Sequence, residues 1–209
     1  MQISDIKLQV RNDNRASVYV DGKYSFSLTI EQINQLKIKI GNIYEASDIE
    51  TFKKESRIGK AYLNAVIYCM LRPRSQKEVK EYLFKKTIPK ITKSGKKESA
   101  IDQSEAEIIF DKIMSKKYVD DTRFAQYWLE NRFLKKGISR RRLMNELKLK
   151  GLDQQTINDV ISNDTRNDKE EIKKIISRKS KSYNSEKLFS YLIRQGFNYE
   201  DVKSELNID

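Results

Sequence analysis

The chain contains no histidine, one cysteine, two prolines and seven glycines among its 209 residues. Without histidine it lacks both the usual proton shuttle near neutral pH and the commonest metal-binding imidazole. The lone thiol of Cys69 can form neither an internal disulfide nor a thiolate zinc site. Most hydrolytic constellations are thereby excluded, no metal or cofactor is expected, and the sparse cysteine fits a reducing, cytoplasmic setting. No run of about 18 apolar residues occurs, so no membrane span is expected. The opening MQISDIKLQV has neither the basic start nor the long apolar stretch of a secretion signal. With 38% hydrophobic and 34% charged residues, the composition is polar, foldable and helix-leaning. Acid is the minority charge: 42 Lys and Arg stand against 30 Asp and Glu, leaving +12. Such an excess attracts polyanions, whether DNA, RNA, acidic protein surfaces or anionic lipid; the plainer alternative is a lysine-rich bias with no anion partner.

The first 44 residues carry a period of two. Ile6, Leu8 and Val10 alternate with polar residues, Val18 and Val20 alternate again, and Asp21-Gly22 precedes a third alternation at Tyr24, Phe26 and Leu28. Alternating runs around Asp-Gly predict a β-hairpin. A short helix near 30–36 and a strand-like KIKIGNIY follow; 48–58 then reads as helical, with Gly59 as a joint. Residues 1–58 thus form a small β-rich module, marginal by itself.

From Lys60 the period becomes helical, and the pattern repeats. Ser139, Leu143, Leu147, Gly151, Leu152, Asp153, Ile157 and Ile161 match Asn184, Leu188, Leu192, Gly196, Phe197, Asn198, Val202 and Leu206, each displaced by 45 residues. A fixed offset between cap, apolar stripe, glycine and second stripe marks a copied supersecondary unit. Each glycine stops one helix in the left-handed conformation, and Asp153 or Asn198 caps the next. A first copy is displaced by 64: Ser75 caps a helix bearing Val79 and Leu83, after a helix striped by Tyr62, Ala65, Val66 and Cys69. Its surplus length lies in a basic, aperiodic loop at about 87–104, before a helix through Ile109 and Ile113. In the middle unit Phe124, Ala125, Trp128, Leu129, Arg132 and Phe133 form a double stripe, with Trp128 read as core. The fold class is mainly α: three tandem three-helix repeats (60–119, 120–163 and 166–209) in an elongated curved array after the N-terminal hairpin module. Such arrays suit long partners better than small substrates.

The segment 135–150 gathers Lys135, Lys136, Arg140, Arg141, Arg142, Lys148 and Lys150 against a lone Glu146. With Leu143 and Leu147 facing inward, Arg141, Asn145 and Lys148 fall on the wet face, while Arg140 and Lys150 must snorkel. Arg141, Arg142 and Lys148, joined by Lys135 and Lys136, are the candidates for polyanion or acidic-partner contact; the alternative is a solvated face. Tyr127, one turn from Arg123, either stacks on a base or anchors an interface, or it packs beneath a neighbouring unit. Asp120 and Asp121 read as helix-capping residues rather than a nuclease metal pair.

The run YVDDTRFAQYWLENRFLKKGISRRRLMNELKLKGLDQQTINDVI resembles the core of the bacterial RecX family of recombinase regulators, through Asp120-Asp121, Phe124-Ala125, Tyr127, Arg132, Gly137, Arg140 to Arg142, Glu146-Leu147 and Lys150-Gly151. LRPRSQKEVKEYL resembles that family's first repeat, and VYVDGKYSFSL the extra N-terminal piece of its longer members. The resemblance implies a non-enzymatic, monomeric protein that binds the RecA filament on single-stranded DNA. It would inhibit filament growth, strand exchange and SOS co-protease activity, and touch DNA directly or through RecA. The second reading is a sequence-nonspecific DNA-binding protein that clamps phosphates.

Overall fold

The structure, a computed structural model, describes residues 1–10, 12–89, 100–132 and 136–208. Its contacts divide the chain into two compact units, Met1–Arg72 with Val79–Tyr118, and Pro73–Glu78 with Val119–Asp209.

In the first unit the alternating segments become β1 (Ile3–Gln9), β2 (Asn12–Val20) and β3 (Lys23–Thr29), an antiparallel sheet in that order. Asp21 and Gly22 turn the hairpin with φ of 48° and 79°, the left-handed pair whose twist suits adjoining strands. Ile3, Val18, Val20, Phe26 and Leu28 face a core closed by Ile38, Ile49 and Phe52. Leu8 and Val10 are exposed, contrary to their alternation. Register shifts between Ile3 and Asp5 and between Leu8 and Gln9 change which residues of β1 point inward.

KIKIGNIY is not a strand. Lys37 (φ 52°) and Gly41 (φ 88°) turn it out of the extended region, burying Ile38 but exposing Ile40 and Ile43. An isolated bridge joins Ile43 to Gln2. Nor is Gly59 a joint. After α1 (Ile30–Gln35), helix α2 (Ala46–Met70) runs unbroken through it. A Cβ at Gly59 would lie 2.6 Å from Gln32 Oε1, and the Gln32 amide donates to the Glu55 carbonyl at 2.8 Å. The missing side chain admits α1 rather than breaking α2.

The first half of α2 buries Ile49 and Phe52, the second Ala65 and Cys69. Helix α3 (Gln76–Thr87) starts at Ser75, whose hydroxyl accepts the Glu78 N–H at 3.2 Å. Its first turn belongs to the second unit and its remainder, with Val79 and Leu83 buried, to the first. Tyr68 and Tyr82 stack at 4.3 Å. Helix α4 (Gln103–Ser115) begins inside the stretch expected as loop, behind a capping box of Asp102 and Glu105, and buries Ile109 and Ile113. Residues 90–99 of that expected loop lie outside the described residues.

In the second unit α5 (Asp121–Asn131), α6 (Arg140–Leu149) and α7 (Gln154–Ser162) enclose Phe124, Leu129, Leu143, Leu147, Leu152 and Ile157. Helices α8 (Asp168–Lys179), α9 (Ser185–Arg194) and α10 (Tyr199–Leu206) enclose Ile172, Ile175, Leu192, Phe197 and Val202. The 45-residue correspondence holds in three dimensions. Ser139 and Asn184 cap α6 and α9, Asp153 and Asn198 cap α7 and α10, and Gly151 and Gly196 take φ of 86° and 89°. Phe133 lies outside the described residues. The chain is therefore mainly helical, with successive three-helix repeats after a small N-terminal sheet.

Candidate partner-binding surface

Two junctions in the second unit are built to one plan. The Ser75 hydroxyl, besides capping α3, donates to the Lys150 carbonyl at 2.9 Å; the Ser139 hydroxyl, besides capping α6, donates to the Gln195 carbonyl at 2.6 Å. The following amide meets a carboxylate each time: Gln76 N–H donates to Asp121 at 2.9 Å, and Arg140 N–H to Asp168 at 3.0 Å. Asp121 and Asp168 are the first residues of α5 and α8. At cap plus three, Glu78 accepts from Lys150 Nζ at 2.7 Å, and Arg142 donates to the Gln195 side chain. The glycine of each corner lets the chains approach. A Cβ at Gly151 would lie 2.8 Å from Lys77 Cβ, and one at Gly196 3.2 Å from Ser139 Oγ. Burial pushes both the Asp121 and Asp168 carboxyls up, opposed by the hydrogen bonds from Gln76 and Arg140.

A second construction fixes α5 against α6. Glu146 accepts from Arg132 at 2.7 and 3.1 Å and from the Trp128 indole N–H at 3.1 Å, with Arg142 Nε 3.6 Å away. Burial raises this carboxyl's pKa. The bonds from Arg132 and Trp128 and the charges of Arg132 and Arg142 outweigh burial and hold it below the usual range. Trp128 is half-buried rather than a covered core residue, with Arg132 and Lys150 over its ring at 5.1 and 5.0 Å.

Arg141, Asn145 and Lys148 of α6 are exposed, as are Arg123 of α5 and Lys136. Arg142, grouped with Arg141 and Lys148 as a candidate for partner contact, is half-buried and turned toward Gln195 and Glu146, where it holds the junction together. Arg140 is drawn inward, its guanidinium donating to the Ile161 carbonyl. Tyr127 is half-buried, its carbonyl accepting from Asn131 Nδ2 at 2.9 Å. The Lys136 carbonyl accepts from Arg178 at 2.7 Å. Lys135 lies outside the described residues. Arg141 and Arg142 share a hollow of about 400 Å³ with Asn145, Arg194, Gln195 and Gly196; Arg194 was not singled out by sequence. Asp120 caps α5 through the Arg123 N–H at 3.0 Å and Asp121 serves the junction, so both carboxylates are structural. Among the described residues no group of three or more cysteines, aspartates or glutamates is placed to hold a metal ion.

Comparison with known proteins matches two family models. Residues 1–45 match the regulatory protein RecX N-terminal domain, and residues 120–161 the second three-helix domain of RecX. Regulatory protein RecX of Bacillus licheniformis is 27% identical over 98% of this chain and 76% of its own length. The RecX of Bacillus pumilus is 29% identical over the same shares, and that of Listeria welshimeri 27% over 98% and 74%. A crystal structure of regulatory protein RecX superposes over 100% of this chain and 99% of that chain, with a TM-score of 0.68 at 19% identity. RecX from Lactobacillus salivarius gives 0.50 at 20% identity over 72% of this chain and 95% of that chain. Both are likenesses of fold.

Proposed function

We propose that this chain, which belongs to the RecX family, regulates the RecA recombinase by occupying its filament on single-stranded DNA. It acts as a cytoplasmic monomer, by occupancy and not by catalysis, and restrains filament growth, strand exchange and SOS co-protease activity. The second and third repeats, 120–163 and 166–209, supply the contacting surface. The observation that carries this reading is the outward face of α6. Arg141 and Lys148 are exposed there, and neither meets a carboxylate among the described residues. Arg123 and Lys136 add exposed charge, Tyr127 a half-buried aromatic, and Lys135 adjoins Lys136 in sequence. Arg142 contributes by holding the Gly196 corner beside Arg141. A filament of repeating negative charge would meet this face at several points.

The hollow beside Arg141 and Arg194 also favours a second reading, in which the protein clamps DNA phosphates directly. Titration into a RecA ATPase assay on single-stranded DNA separates the two. Inhibition well below one copy per recombinase, relieved by Arg141→Glu with Lys148→Glu, supports filament occupancy. Inhibition only at DNA-coating amounts, abolished by excess DNA, favours direct binding. Indifference of RecA to the protein would overturn the proposal.

A further inference from the structure

The first unit contains a cationic pocket far removed in sequence from α6. It occupies about 520 Å³ beside β3, α2 and the end of α3, and its walls carry Lys53, Arg57, Lys60, Lys85 and Lys86. Two carboxylates offset part of this charge. Glu50 pairs with Lys53 at 2.7 Å, and the buried Glu105 faces Arg57 at 3.4 Å. Glu105 also accepts the Asp102 N–H at 3.0 Å as part of the α4 capping box. Lys60 and Lys85 are exposed and meet no carboxylate among the described residues.

The guanidinium groups give the second observation. Arg57 uses Nη2 on Glu105, while its Nε is buried without a hydrogen-bond partner. Arg15, 6% exposed, donates through Nη2 to the carbonyl and hydroxyl of Ser27 in the pocket wall at 2.6 and 2.9 Å, while its Nη1 is likewise unpartnered. These N–H groups are themselves closed to solvent, so what the two guanidiniums lend the pocket is charge, which adds to the field of the lysines around it. Tyr24, Ser25 and Ser56 line the same wall, and Tyr24 is 58% exposed. The pocket is of a size that takes a nucleotide, and multiple cations beside an open aromatic ring are the chemistry of nucleotide contact.

We propose that this pocket binds the phosphate groups of a nucleotide, either free or within a single strand, independently of the α6 face and of any action on RecA. The experiment uses the full chain without recombinase. Calorimetry with inorganic tripolyphosphate and with ATP reads the free source, and anisotropy of a labelled oligothymidylate reads the strand. The substitution pair Lys60→Glu and Lys85→Glu is expected to weaken binding at least tenfold. Loss of tripolyphosphate and ATP binding supports a free nucleotide; loss confined to the oligonucleotide supports a strand backbone. Lys60→Gln, milder toward folding, should weaken the same probe in the same direction. The proposal is overturned if neither source binds at millimolar concentration, or if folded variants bind both as the parent does.

Discussion

Gly151 and Gly196 offer a controlled comparison, because they occupy equivalent corners with φ of 86° and 89°. An alanine at either site meets the same left-handed penalty, about 1–2 kcal/mol. It recovers part of that, roughly 0.4–1 kcal/mol, by restricting the unfolded chain. The two corners differ in their neighbours. At Gly196 the new Cβ would stand 3.2 Å from Ser139 Oγ and 3.5 Å from Arg141 Cβ, a small accommodation. At Gly151 it would stand 2.8 Å from Lys77 Cβ, an atom fixed to its backbone, so the helices themselves must part. Overpacking of this kind costs about 1–3 kcal/mol. Gly196→Ala should therefore lose about 1 kcal/mol and Gly151→Ala about 2–4 kcal/mol. Urea unfolding followed by circular dichroism gives both values. The fluorescence of Trp128, the single tryptophan, adds a local probe beside the Lys150 corner. Equal losses, within about 0.5 kcal/mol, would refute the claim that the first junction is closed by direct approach of Lys77.

Glu146→Gln should cost about 1–2 kcal/mol at neutral pH, since it removes the charged acceptor of Arg132 and Trp128. Because the folded Glu146 pKa is depressed, its contribution is present above the ordinary carboxylate range and lost as pH falls through the folded value. The variant should accordingly lose less stability on acidification than the parent, as read from urea midpoints across that range. Asp121 and Asp168 have the opposite sign. Their raised folded pKa values mean that protonation favours the folded state, so stability falls as pH rises through them. Asp121→Asn, which keeps an acceptor for the Gln76 N–H, should be neutral or stabilising at pH 7; a loss above about 1 kcal/mol would count against it. Arg142→Ala should lower stability by about 1–2 kcal/mol through Gln195 and Glu146, whereas the exposed Arg141→Ala should stay within about 0.5 kcal/mol, both measured by thermal melts.

What sequence could reveal depended on how far apart the interacting residues stand. Caps, stripes and left-handed glycines act over a few residues, and their repetition at 45 made α6–α7 and α9–α10 legible before any contact was known. The Asp-Gly hairpin was legible for the same reason. KIKIGNIY misled because alternation alone does not report the turns at Lys37 and Gly41 that break it. Gly59 misled because a glycine admitting a neighbour looks, in one dimension, like a glycine ending a helix. Charge and position in the basic run group Arg142 with the contact candidates, and neither says anything of Gln195, 53 residues away. The surface candidates on α6 were legible as charge, whereas the division between Arg141, exposed, and Arg142, engaged, needed three dimensions.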